Sequence, residues 1–213
     1  MAKSKNEVTT TAKEYQFSGE RYYGLAMDME DRCESQEKID ACWRLAAKDF
    51  WQALVLGGKE APFWLFKCFG QGLGVKEDAD IAALFYGVAL KFTPKELKGI
   101  KTENKPVIPK YMEPEIKNLI KLVEKTHKEI PTKGVDMAVV LEQMDKFNHA
   151  IKLPGGKLIQ SCFTEENTAA TYDEHGASTS AHDTSADSGL HDTSFDEGNV
   201  AMGGESSHYP HHH

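Results

Sequence analysis

The stretch GGKEAPFWLFKCFGQGLGVKEDADIAALFYGVAL, Gly57 to Leu90, decides the fold. Ala61, Leu65 and Phe69 lie four apart, so on an α-helix they share one face. Gly72, Gly74 and Val75 come next, and Asp78, Ala82, Phe85, Tyr86 and Ala89 then resume the helical spacing. Two helices joined by a glycine turn form a hairpin, because β-carbons would obstruct so tight a reversal. Asp78 stands where a carboxylate accepts bonds from unpaired amides and meets the positive end of the second helix. Small Ala82 and Ala89 let the first helix approach, and Tyr86 fills the space between them.

Helical spacing continues on both sides. Upstream, Ile39, Cys42, Trp43, Ala46, Ala47 and Phe50 form a stripe that Ala53 and Leu54 prolong. Ser35 is placed as its N-cap and Gly57-Gly58 as its stop. The hairpin helices are expected at about Ala61 to Phe69 and Asp78 to Phe92. Thr93-Pro94-Lys95-Glu96 has the pattern of a capping box, for a helix kept short by Gly99. Between Lys101 and Met112 the periodicity fails, and Pro106 and Pro109 forbid a regular helix. Pro114 opens a helix through Glu129, with Ile116, Leu119, Ile120 and Val123 on one face. A last helix is expected from Val135 to Ile151 on Val139, Val140, Met144, Phe147 and Ile151, closed by Pro154-Gly155-Gly156. No run alternates with a period of two, so the expectation is all-α with no sheet.

The hairpin pattern, Ala-x3-Leu-x3-Phe-x2-Gly-x-Gly-Val-x2-Asp-x3-Ala-x2-Phe-Tyr-x2-Ala, resembles the Sel1-like repeat, a relative of the tetratricopeptide repeat. Phe66 departs from it, since that family usually has glycine at this helix contact, and a bulky ring implies a wider or shifted hairpin. Upstream, Ala46, Phe50, Ala53 and Gly57 look like the second helix of a degenerate unit whose first helix includes Arg21 to Met27; Asp28 to Gln36 lacks its glycine turn. The resemblance implies a short α-α superhelix of such hairpins. Stacked repeats stabilise one another, so the later helices are expected to cap the array. The resulting division is a flexible N-terminus at 1–18, repeats at 19–99, a linker at 100–112, capping helices at 113–157 and a disordered acidic tail at 158–213.

Charge separates the tail from the body. The formal charge is −8, yet residues 164–213 hold ten Asp or Glu and no Lys or Arg, which leaves residues 1–163 at +2. A nearly neutral body with dispersed lysines offers no concentrated basic face for nucleic acid. No apolar run approaches the roughly 20 residues that span a bilayer. Met1 to Gln16 lacks the apolar core of a signal peptide. In the tail only Tyr172, Leu190, Phe195, Val200, Met202 and Tyr209 are large apolar residues, too few to offset an ordering entropy of roughly 1–2 kcal/mol per residue. The tail also carries a duplication, Ala181 to Gly189 and Leu190 to Gly198. Thr171, Thr184, Thr193 and Ser194 each precede an acid by three positions, as acid-directed kinases prefer.

Catalytic chemistry finds little footing. Gly70-Gln-Gly72-Leu-Gly74 has Val75 where a dinucleotide fingerprint needs its next feature, and it follows a helix instead of a strand. Cys33, Cys42, Cys68 and Cys162 form no CxxC pair, which suits free thiols in a reducing cytoplasm. Seven of nine histidines lie in the tail, without the fixed four-ligand spacing of a structural metal site. His127 and His149 sit late in helices, where a cation suits the helix end. The sequence therefore predicts no enzyme, no cofactor and no metal site.

Aromatic side chains are dense between Trp43 and Phe92. Adjacent helix positions differ by about 100°, so Phe50 with Trp51, or Phe63 with Trp64 and Phe66, cannot share one face. Rings left over must meet another helix, another subunit or a partner, and Trp43, Trp51, Phe63, Trp64 and Phe66 are the predicted partner-binding set, since large aromatics anchor interfaces. The function expected is a non-enzymatic, cytoplasmic protein–protein adaptor that holds a partner helix or extended segment within a larger complex. The family resemblance implies scaffolding, and size and charge are similar to bacterial secretion or virulence adaptors, including those of type IV coupling complexes. The alternative is a Cys/His-dependent enzyme or metal-binding protein of the same family.

Overall fold

The computed structural model describes residues 10–130, 133–153, 156 and 158–163. The chain divides after Tyr172 into two units, and every described residue belongs to the first. The predicted tail from 164 onward, with its duplication, phosphorylation pattern and histidines, lies outside the described residues, as do Met1 to Thr9.

Six α-helices and no strand occur among the described residues. They are α1 (Ala12–Asp31), α2 (Gln36–Val55), α3 (Ala61–Gln71), α4 (Ala79–Phe92), α5 (Glu113–Glu129) and α6 (Met137–Ala150). The all-α expectation holds, and α1 packs with α2 and α3 with α4 as hairpins.

The first hairpin begins earlier than expected. Thr11 and Glu14 form a capping box: the Glu14 amide donates to Thr11 Oγ1 at 3.1 Å, and the Thr11 amide donates to Glu14 Oε2 at 2.7 Å. Residues 12–18 are therefore helix, not flexible chain. No large apolar stripe marks them in the sequence, since the residues α1 buries are Gln16, Gly19 and Ala26. Gly19 lies against the Phe50 ring, where a β-carbon would come within 2.6 Å of it.

In the second hairpin, Asp78 is the N-cap of α4, its Oδ1 accepting from the Ile81 amide at 3.0 Å. Gly72 and Gly74 take left-handed backbone conformations, with φ of 68° and 71°. Gly74 is also fixed by contact, since a β-carbon there would collide with the Trp43 carbonyl of α2. Phe66 is accommodated against Tyr86, centroids 5.2 Å apart.

Thr93 caps nothing downstream. Its hydroxyl donates back to the Ala89 carbonyl at 3.2 Å, and the next segment, Glu96–Gly99, is a 3-10 turn. The backbone from 100 to 112 contains two further short 3-10 turns, Thr102–Asn104 and Lys110–Met112, and Met112 is buried. Pro114 falls in the first turn of α5 as expected, and Asp136 caps α6 through the Val139 amide. Thr10 and Val135 exchange two backbone hydrogen bonds of 2.9 Å, tying the start of α1 to the α5–α6 connection.

The core centres on α2, which meets α1, α3, α5 and α6. The predicted tail also begins too early at 158. Ile159–Phe163 forms a 3-10 turn in which Ile159 and Cys162 are buried, and Phe163 stacks on Trp51 with centroids 5.6 Å apart. Ile159, Cys162 and Phe163 are the apolar end of the body, and the run of polar composition starts only after them.

Candidate functional site

Three of the five predicted anchors are enclosed by their own chain. Trp51 is fully buried, set edge-on to Phe147 at 6.2 Å and stacked on Phe163. Trp43 is buried beside Tyr23, and its Nε1 donates to Glu30 Oε1 at 3.0 Å. Phe66 is buried against Tyr86. These assignments are corrected. Adjacent rings compete for one buried face only on a surface helix, whereas the second half of α2 is covered on several sides and buries every residue from Phe50 to Val55.

Phe63 and Trp64 are different. Helix α3 turns Ala61, Pro62, Leu65, Phe66, Cys68 and Phe69 inward. Phe63, Trp64, Lys67, Gly70 and Gln71, spaced three and four apart, are left on the outer side. Trp64 lies nearly parallel to Phe50 (5.2 Å, 7°) and takes the edge of Tyr23 at 4.9 Å. Phe63 meets Trp64 edge-on at 5.4 Å. Partly buried rings clamped in this way form an apolar platform at the edge of the core.

Lys67 completes the platform. Its Nζ lies 4.3 Å from the Tyr23 centroid, 4.9 Å from Trp64 and 5.8 Å from Phe63. Ring faces attract an ammonium through their quadrupoles. Burial lowers the ammonium's pKa, and the neighbouring Cys68 opposes that shift. Burial also pushes the Tyr23 hydroxyl up to about 12, with Cys68 and Glu30 adding to it. Tyr23 and Lys67 were absent from the predicted set, though Lys67 follows Phe63 by four positions and Trp64 by three.

Beyond Lys67 the same face runs into a groove of about 300 Å³ between α3, α4 and the arm at residues 103–106. Phe66, Gly70 and Ala82 supply its apolar lining, and Gln71, Glu77, Glu103 and Lys105 its polar lining.

The reactive residue types lie elsewhere or inside. Cys42, Cys68 and Cys162 are buried and Cys33 is exposed; all four are free. Burial pushes the Cys68 thiol up to about 12, the reverse of an activated nucleophile, with Lys67 pulling the other way. His127 Nδ1 donates to the Gly57 carbonyl at 3.1 Å, and His149 Nδ1 to the Asp145 carbonyl at 2.8 Å. Among the described residues no three His, Cys, Asp or Glu side chains are grouped to hold a metal ion. No helix among them is long and apolar enough to cross a membrane. No family model, curated protein or solved structure matches the chain.

Proposed function

We propose that this protein is a non-enzymatic adaptor that holds a partner helix or extended segment along the outer face of α3. One observation carries the reading. Phe63 and Trp64 stand side by side, partly exposed and braced from beneath, one turn before the groove that Lys67 lines. Large rings held rigid lose little conformational freedom on binding, which favours them as anchors. Within this reading the chain is a short α-α superhelix of the Sel1-like kind, working in the cytoplasm within a larger assembly. A role in bacterial secretion, of the type IV coupling kind, is the narrower form of the same proposal.

A Cys/His-dependent enzyme or metal protein has less support. Three thiols are buried, and both body imidazoles are engaged with backbone carbonyls.

The test is co-purification from the native source with the full chain as bait. Phe63→Ala is expected to reduce partner recovery by about tenfold, the scale of a lost interface anchor. Leu141→Ala, exposed on α6, is expected to leave recovery unchanged. Equal recovery with Phe63→Ala and the unaltered chain would reject the surface.

A further inference from the structure

The outer face of α3 contains a cation without an anion. Lys67 forms no ion pair among the described residues, and its ammonium is half-buried among three rings. Ring faces offset part of the lost hydration but do not neutralise the charge. The carboxylates that share the neighbouring groove, Glu77 and Glu103, do not approach its Nζ to within ion-pair distance. Other lysines without an ion pair, such as Lys59 and Lys76, are exposed to water, and the ion pairs that do form lie at the surface, as in Arg32 with Asp28 and Lys146 with Glu142. Those pairs are solvated and contribute little, whereas an acid brought to Lys67 would meet a cation already stripped of part of its water.

We propose that the partner segment places a carboxylate on Lys67, an apolar side chain on Phe63 and Trp64, and a hydrogen-bond donor or base toward Glu77 and Glu103. This deepens the adaptor reading and rests on it. The spacing follows from α3 itself. Residues 63, 67 and 71 are one helical turn apart, about 6 Å between successive positions, so a partner helix would match them with side chains four residues apart. The order of chemistries also gives the segment a direction, because a reversed segment sets its basic side chain on the rings and its apolar side chain against Glu77 and Glu103. Lysine delivers the charge as a compact, strongly hydrated group on a flexible stem, so a partner acid can recruit it without disturbing the rings beneath.

The experiment uses the full chain and three synthetic amphipathic peptides, each about 20 residues long so that helix formation is not limiting. They carry Leu, then Glu, Gln or Lys, then Lys, at four-residue spacing. Binding is read by titration and by shifts in the Trp64 indole and Tyr23 ring signals. The Glu peptide is expected to bind about tenfold tighter than the Gln peptide, the scale of one charge-assisted hydrogen bond. That gap should vanish with Lys67→Met, persist with Lys67→Arg, and shrink in about 0.5 M salt, where screening acts over roughly 4 Å. Equal binding of the Glu and Gln peptides, tighter binding of the Lys peptide, or no binding at millimolar concentration would each overturn the proposal. If native-source recovery still depends on Phe63, the adaptor reading survives that result and only the charge assignment falls.

Discussion

Trp51 and Trp64 lie thirteen positions apart in the sequence and carry different burdens. Trp51 is fully buried between Phe147 and Phe163, while Trp64 is only partly buried above Phe50. Truncating a buried aromatic costs about 3–5 kcal/mol through lost transfer energy and the cavity left behind. Trp51→Ala is expected to cost that much in chemical denaturation, and Phe63→Ala less than half of it; equal losses would contradict the assignment of Phe63 to the surface. A second residue-level consequence concerns alkaline pH. The Cys68 thiol and the Tyr23 hydroxyl, ordinarily near 9.0 and 10.0, are both raised to about 12 in the folded chain. The folded chain therefore keeps protons that the unfolded chain releases, so the stability these groups contribute is complete below pH 9 and drains as pH rises toward 12. The lowered Lys67 ammonium acts in the opposite sense below 10.5, because there the folded chain loses its proton first. The denaturation midpoint is expected to fall as pH climbs from 9, with a shallower fall in Cys68→Ala. A midpoint constant across that window would contradict the burial of the thiol.

At the scale of elements, legibility followed the size of the buried side chains. Helices α2 to α6 were readable because their inward positions are large and regularly spaced, from Ile39 to Phe50 and from Val139 to Phe147. Of helix α1 the repeat resemblance reaches only Arg21 to Met27; its start is marked by the Thr11–Glu14 capping box alone, since Gln16, Gly19 and Ala26 give no apolar rhythm. The Thr93 box failed for a local reason, its hydroxyl being taken by the preceding turn at Ala89. The Thr10–Val135 bridge had no signal, because a pair so distant in sequence leaves no periodicity. Of the candidate site, angular bookkeeping on one helix singles out Phe63 and Trp64, which stay partly exposed, but the same bookkeeping wrongly exports Trp51, whose cover comes from α6 and the segment after it. That segment is testable. Phe163 is partly exposed yet stacks on Trp51 and meets Phe69 edge-on at 5.8 Å. Phe163→Ala is expected to cost about 2 kcal/mol in unfolding free energy, below the figure for a fully buried ring. An unchanged denaturation midpoint would remove the 3-10 turn from the core.

For the molecule as a whole, the core and the proposed surface fall on opposite sides of the same helix. The inward face of α3 locks into α4 through Phe66 on Tyr86 and Phe69 on Phe85, which holds the helix stiff. The outward face can then present Phe63, Trp64 and Lys67 at fixed spacing without moving when a partner arrives. Charge is divided differently: the acidic residues of 164–213 give the chain its net −8, while the body stands at +2. Net charge governs solubility and encounter rates, and in the proposed reading the local chemistry of α3 selects the segment that stays.

The most direct measurement is site-specific photo-crosslinking in the native source. A photoreactive phenylalanine analogue is placed at Phe63 in one full-length variant and at Leu141 in another. The account predicts a discrete adduct with another polypeptide from position 63 and none from position 141, which is exposed on α6. No adduct from 63, or the same adduct from both positions, would contradict a partner-binding face on α3.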